Sequence, residues 1–268
     1  GRARRVLDRL REMKVATADD MADVHGERTS LPARVIRDAV QRVVPQPELK
    51  GWNGAMEAGS AAAAIYATIR DQLAAVLLER EPFTELVTNP YAKDEPFPSP
   101  AHSRIRTALP RIVDGDLVGD DSIAEAVKRA ITLLTTELGP NRSKWRWDAL
   151  HRTNTVHPVA RTYPEYGQTL NPPRFGMGGD GDTPQAGSSE TGTWIQHSSV
   201  ARYVFDLGDW DNSACVIPLG ASGHPASPHY ADQTETWANV KLFPMTFSWD
   251  KIRAGAETRQ VLEPSAHR

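Results

Sequence analysis

Cys215-Val216-Ile217-Pro218-Leu219-Gly220-Ala221-Ser222-Gly223-His224-Pro225-Ala226-Ser227-Pro228-His229-Tyr230-Ala231-Asp232-Gln233 is the stretch on which the reading of this chain turns. A short apolar run, suited to a buried strand, passes here into a proline-punctuated loop carrying two histidines, two serines and an acid. Such a loop either does chemistry or frames a place where chemistry is done, and its residues favour the second. Gly220-Ala221-Ser222-Gly223 resembles a nucleophile elbow, but that motif needs glycine two residues after the serine, where His224 stands. His224 or His229 could serve Ser222 or Ser227 as base with Asp232 as orienting acid, yet working triads usually draw their members from separated segments. The expectation is a turn shaped by Gly and Pro, with His229 and Tyr230 packed or bonded to backbone.

Around this stretch the chain reads as strand and loop. Val200 to Leu207 alternates and is rich in β-branched and aromatic residues, Ser213 to Leu219 makes a second strand, and Gly208 to Asn212 joins them like a hairpin. Trp237 begins a closing tail of helix and loop. The first half is helical instead. Val6, Leu7, Leu10 and Met13 make an apolar stripe from Arg2 to Lys14, and Thr17 with Asp20 three residues on signals a cap for a helix to Val24. Pro32 opens a helix whose buried face is Val35, Ile36, Ala39, Val40 and Val43. Ser60 to Leu78 follows with Ile65, Ile69, Leu73, Val76 and Leu77 inward. Prolines at 82, 90, 96, 98 and 100 mark a loop, and two more helices are expected at 101–109 and from Ser122 to Leu138. Asp120-Asp121-Ser122 caps the second and Gly139-Pro140 stops it. The class is α+β, with a mainly helical portion over 1–140 and a loop-and-strand portion over 141–268, together one incomplete domain.

The 268 residues are 40% hydrophobic and 24% charged, enough for a sizeable core. A formal net charge of −3 provides no broad basic field for nucleic acid or an anionic bilayer. No run approaches the ~18–20 consecutive apolar residues of a membrane span, and the N-terminus has no signal-peptide core. Beginning inside a helix at Gly1, without a cap or an initiator methionine, suggests a piece of a longer chain. The single cysteine, Cys215, reads as a small buried hydrophobe.

Other candidates each have a plainer explanation. Asp180 and Asp182 in Gly178-Gly179-Asp180-Gly181-Asp182-Thr183 resemble the start of an EF-hand loop, but no glutamate follows at the required place; an Asp-stabilised turn network accounts for them. His151 and His157 are a poor fit to metal spacing, and Trp145 and Trp147 are expected to pack against the sheet with their polar tips bonded. Arg2, Arg4, Arg5, Arg9 and Arg11 form a solvated helix face.

Several motifs together resemble the C-terminal part of the penicillin acylase β subunit. They are Trp147-Asp148-Ala149-Leu150-His151-Arg152 with His157-Pro158; Gly178 to Thr183; Arg202-Tyr203-Val204-Phe205-Asp206-Leu207; Ser222-Gly223-His224-Pro225 running to Asp232-Gln233; and Trp237 with Phe243-Pro244-Met245. Their order and spacing agree over roughly residues 140 to 250, and Gly51-Trp52-Asn53-Gly54 stands in the place of a family turn. The resemblance implies part of an N-terminal-nucleophile (Ntn) hydrolase with an αββα sandwich, made as a precursor and cut into two subunits. In that family a serine at the β-subunit N-terminus attacks an amide carbonyl with its own α-amino group as base, an asparagine and backbone N–H groups hold the oxyanion, and water releases the acyl-enzyme.

Gly1 supplies no such nucleophile, so serine and oxyanion asparagine are expected outside these residues. The family's near-site arginine falls on Arg2 when Leu10 is aligned with the family's leucine; a shifted register puts it at Arg4 or Arg5. Ala221 stands where many members carry glutamine. The resemblance further implies hydrolysis of a linear amide in a β-lactam, an acyl-homoserine lactone or a lipopeptide. It implies an α subunit and upstream β-subunit segment as partners, a calcium site outside this chain, no cofactor held by these residues, and a periplasmic or secreted location. A non-catalytic remnant of the same family is the alternative.

Overall fold

Helix α4, Ala61–Leu78, is the post around which the first half packs. Ser60 Oγ accepts from Ala63 N at 3.1 Å and starts it, and its alanines let neighbours approach closely, so it is buried almost all round, beyond the one face that the periodicity predicts. By length and composition α4 could cross a membrane, but 72% of it is buried inside the protein, which is the behaviour of a core helix. The computed structural model describes residues 1–86, 100–189, 192–200 and 202–264; the predicted loop prolines Pro90, Pro96 and Pro98 lie outside them.

Helices α1 (Arg2–Glu12), α2 (Ala18–His25) and α3 (Leu31–Val43) precede α4, and α5 (Pro100–Asp114) and α6 (Asp120–Leu138) follow it. α3, α5 and α6 pack against α4 around Ile36, Val40, Ile65, Ile69, Leu109 and Ile123. Fully burying each of these large side chains stabilises by about 1.5–3 kcal/mol. α5 runs through Pro110, past the predicted stop at 109, because Ile112 and Val113 beyond it still pack on this core and offset the cost of about 3 kcal/mol that an interior proline carries. α6 starts two residues early, after Gly119; Asp120 and Asp121 sit in its first turn rather than capping it, and Gly139 at φ 83° ends it as expected.

The capping box is present: Asp20 N donates to Thr17 Oγ1 at 3.2 Å and Thr17 N donates to Asp20 Oδ2 at 2.8 Å. Thr17→Ala should therefore cost about 1 kcal/mol in urea denaturation, and an unchanged midpoint would show that α2 is held by packing alone. α1 forms as predicted, but its apolar stripe is uncovered, with Leu7 and Leu10 exposed.

Short helices α7 (Trp147–Leu150), α8 (Pro158–Thr162) and α9 (Gly167–Leu170) lead into the strands; α10 (Thr234–Ala238) and α11 (Trp249–Ala254) close the chain. β1 (Gly187–Ser188) pairs antiparallel with β2 (His197–Ser198). β3 (Arg202–Val204), β4 (Ala214–Val216) and β5 (Phe243–Pro244) form an antiparallel sheet in that order, with Tyr203 opposite Cys215 and Cys215 opposite Phe243. The predicted β3–β4 hairpin is there with shorter strands. Asp206 Oδ1 takes the N–H groups of Gly208 and Asp209 and turns the chain, while Ile217 N leaves the ladder for Gln233 Oε1 and Pro218 has no N–H to give.

One face of this sheet, with Val204 and Val216, is buried around Trp237. The other carries Tyr203, Phe205, Trp210 and Phe247, all exposed, with Tyr203 and Phe205 stacked at 5.7 Å and Trp210 5.7 Å from Phe247. Cys215, between Tyr203 and Phe243, is half-buried rather than buried, because its side of the sheet is the open one. The architecture is α+β; among the described residues its sheets have two and three strands, and no layered sandwich closes over them.

Candidate functional site

The Gly178 to Thr183 turn is the polar centre of the molecule. Gly179 sits at φ 78°, and a Cβ there would lie 2.0 Å from the Gln185 carbonyl oxygen, so only glycine fits. Asp180 is 1% exposed; its Oδ1 accepts from Asp182 N at 2.6 Å, and its own N–H donates to Thr183 Oγ1 at 2.8 Å. This is the Asp-stabilised turn that the sequence predicts, with one partner it does not announce: Arg70 of α4. Arg70 Nη1 lies 2.9 Å from Asp180 Oδ2 and 3.1 Å from Asp182 Oδ2, and the guanidinium stands 5.2 Å from the Tyr66 ring. The one signal for it was a charged residue among the alanines and isoleucines of α4.

Burial pulls the Arg70 pKa down, but Tyr66, Asp180 and Asp182 outweigh it and hold the group charged. Asp182 is pushed above the usual carboxylate range, first by burial and then by the charge of Asp180. Trp147 Nε1 donates to the Gly179 carbonyl at 2.8 Å, and His151 stacks on Trp147 with centroids 4.4 Å apart. The His151 ring lies between the carbonyl oxygens of Met177, at 3.0 Å, and Gly187, at 3.2 Å; burial pushes its pKa down, so a neutral ring donates to one of them. Arg106 donates to the carbonyls of Gly192 and Ser189, and burial, then the charge of Arg70, lowers its pKa. These groups line a cleft of about 380 Å³ that Ser188 and His197 complete.

Arg2 reaches the same turn: its Nη2 donates to the Gly181 carbonyl at 2.5 Å. Arg4 bonds Asp8 at 2.9 Å and Arg5 bonds Glu27 at 2.8 Å. Of the three registers open in the sequence, Arg2 is thus the one seated on the acidic turn.

The late loop assembles no triad. Ser222 Oγ accepts from His224 N at 3.1 Å and Ser227 Oγ accepts from His229 N at 3.2 Å, both as turn acceptors. His229 Nδ1 meets Asp232 Oδ2 at 2.9 Å, but its Nε2 faces Glu257 Oε2 at 3.1 Å instead of a serine. Tyr230 donates to the Leu170 carbonyl at 2.5 Å, as the plain reading of the loop expects. His157 accepts from Val159 N at 3.2 Å, and the described residues contain no group of three or more His, Cys, Asp or Glu side chains able to hold a metal ion.

Asp232 first, then Glu257, raise the His229 pKa above its ordinary 6.5. The sign follows: the stabilisation is full below the unfolded value and is lost as pH rises through the elevated folded one. Glu257→Gln should lower the His229 midpoint in an NMR titration of its ring protons; an unmoved midpoint would mean that Glu257 does not bind the ring in solution.

Over residues 1–254 the sequence matches the family described as penicillin amidase. The chain belongs to that family. It is 35% identical to the penicillin acylase 2 proenzyme of Pseudomonas sp. (strain SE83), over 98% of this chain and 35% of the relative. It is 30% identical to the acyl-homoserine lactone acylase QuiP of Pseudomonas syringae pv. tomato, over 53% of this chain and 18% of the relative. The thermostable penicillin G acylase from Alcaligenes faecalis superposes with a TM-score of 0.52 at 16% identity, covering 98% of this chain and 52% of that one, a likeness of fold. The chain thus spans about a third or less of the length of these curated relatives. In this member of the penicillin amidase family the late loop holds His229 between Asp232 and Glu257, with neither ring nitrogen on a serine.

Proposed function

We propose that these residues form part of an acylase that cleaves a linear amide C–N bond, in a β-lactam side chain, an acyl-homoserine lactone or a lipopeptide, through an acyl-enzyme. The observation that carries the proposal is the family match over residues 1–254, joined to Arg2 seated on the Gly181 carbonyl at the mouth of the acidic turn. In this reading the nucleophile is an N-terminal serine on polypeptide outside these 268 residues. Its α-amino group takes the hydroxyl proton as the oxygen attacks the amide carbonyl, an asparagine and backbone N–H groups hold the oxyanion, and water then releases the acid. Arg2 supplies positive charge beside that centre, held in place through its bond to Gly181 and, behind it, the Arg70–Asp180 pair. The engagement of Ser222 and Ser227 as turn acceptors supports this division of labour.

The partners are then an α subunit and an upstream β-subunit segment, whose packing on the open aromatic sheet face and on the α1 stripe completes an Ntn sandwich. No cofactor is held by these residues, calcium is bound elsewhere in the protein, and the location is periplasmic or secreted. In the full-length protein after its processing into subunits, Arg2→Ala should lower kcat/KM for a chromogenic acyl amide by about 10²-fold, with Arg2→Lys retaining more, because one electrostatic contact near a developing charge is lost. Full activity in Arg2→Ala would remove Arg2 from the site. Turnover by residues 1–268 alone, abolished in Ser222→Ala, would overturn the whole reading.

A further inference from the structure

A second cleft, of about 480 Å³, lies between the loop after α7 and the start of α10, and shares no lining residue with the cleft at the acidic turn. Its walls include Trp194, Ile195 and Leu219. Two polar side chains on it have a buried atom with no partner among the described residues. Thr234 is 1% exposed and its Oγ1 is buried without a partner; Asn154 Oδ1 is likewise buried and unpartnered. Their backbone N–H groups are already committed, Thr234 N to the Ala231 carbonyl and Asn154 N to the Ile195 carbonyl, both at 3.2 Å. Arg161, exposed on the same cleft, makes no ion pair among the described residues.

A buried polar atom left unpaired costs about 1–3 kcal/mol, so two on one wall, beside apolar surface and a free cation, make a site built for something else to complete. Its volume and its mixture of apolar walls with a few convergent polar groups match small-molecule sites. Asn154 Oδ1 can take an N–H, the Thr234 hydroxyl can donate to a carbonyl oxygen, and Arg161 can pair with a carboxylate.

We propose that this cleft binds a small amphipathic acid containing an amide. The apolar body lies against Trp194 and Leu219, the amide between Asn154 and Thr234, and the carboxylate toward Arg161. The site is separate from the acylase centre and does not depend on that reading.

The probe is hippurate, N-benzoylglycine, titrated into the 268-residue chain and followed by ligand-observed NMR and by quenching of tryptophan fluorescence. Saturable binding is expected, weakened about tenfold by Thr234→Val, which keeps the shape and removes the hydroxyl. Arg161→Gln, at an exposed position, should weaken it about fivefold and abolish the preference for hippurate over its neutral primary amide. Thr234→Val should unfold no more readily than the parent in urea, since it removes an unpaired buried hydroxyl. Absence of saturable binding up to about 10 mM hippurate, or equal affinity in the parent and both variants, overturns the proposal.

Discussion

Asp180→Ala is expected to destabilise the chain by about 3–5 kcal/mol, because it strips a buried arginine of its closest counter-charge. Asp180 is 1% exposed and Arg70 9% exposed, and the two side chains meet at 2.9 Å. Removing the carboxylate also frees Asp182 N from Oδ1, so the turn loses its internal bond together with its ion pair. Asp182 remains 3.1 Å from Arg70 Nη1, but its carboxylate is already harder to ionise through burial. Asp180→Asn keeps an acceptor for Asp182 N and should fall between the parent and the alanine variant. Urea denaturation measures the series. A loss below about 1 kcal/mol in Asp180→Ala would mean that Asp182 takes over the pairing, and that the turn does not depend on Asp180.

The second large effect lies in the other core. Trp237→Ala should cost about 3–5 kcal/mol, since Trp237 is fully buried and closes the cluster of Met177, Ile195, Val216 and Ala238. Its Nε1 donates to the Ser199 carbonyl at 2.9 Å, and the Arg202 guanidinium stands 4.7 Å from its ring. Arg202 is 1% exposed, donates to the Trp237 carbonyl, and is pulled down to about 10, by burial first and then by the charge of Arg28. The ring face is therefore part of what makes a buried cation tolerable there, an interaction of about 0.5–2 kcal/mol. Trp237→Phe keeps a ring face but loses the N–H bond, so it should cost less than alanine. Equal losses in the two variants would assign the whole effect to the indole N–H.

Local physics was legible in the residues themselves. Thr17 and Asp20 stand three apart, the spacing of two reciprocal cap bonds, and both form. Gly139 ends α6 because only glycine takes φ 83° without strain. The buried stripe of α3 follows from Ile36, Ala39 and Val40 sharing one face. The turn around Asp180 was legible for the same reason: its bonds to Asp182 and Thr183 span two or three residues.

What failed to show was long-range pairing. Arg70 and Asp180 are 110 residues apart, and periodicity carries no information about which distant turn an arginine on a helix will meet. His229 looked equally ready for Ser222, Ser227 or a carboxylate; its meeting with Glu257, 28 residues on, depends on where the chain after α11 is laid. The stripe on α1 was legible as a pattern, while its exposure was not, because a pattern states which face is apolar and not what covers it.

By itself, then, the sequence determined the long helices of the first half, the Thr17 cap and the Gly139 stop, the β3–β4 hairpin, and through the order of its motifs the family. Tertiary structure alone decided that Arg70 charges the acidic turn, that Arg2 rather than Arg4 or Arg5 reaches it, and that Asn154 and Thr234 face one cleft unpaired. Bonds across a few residues are set by backbone geometry, whereas bonds across a hundred are set by how helices and sheets pack, which no short window of residues contains.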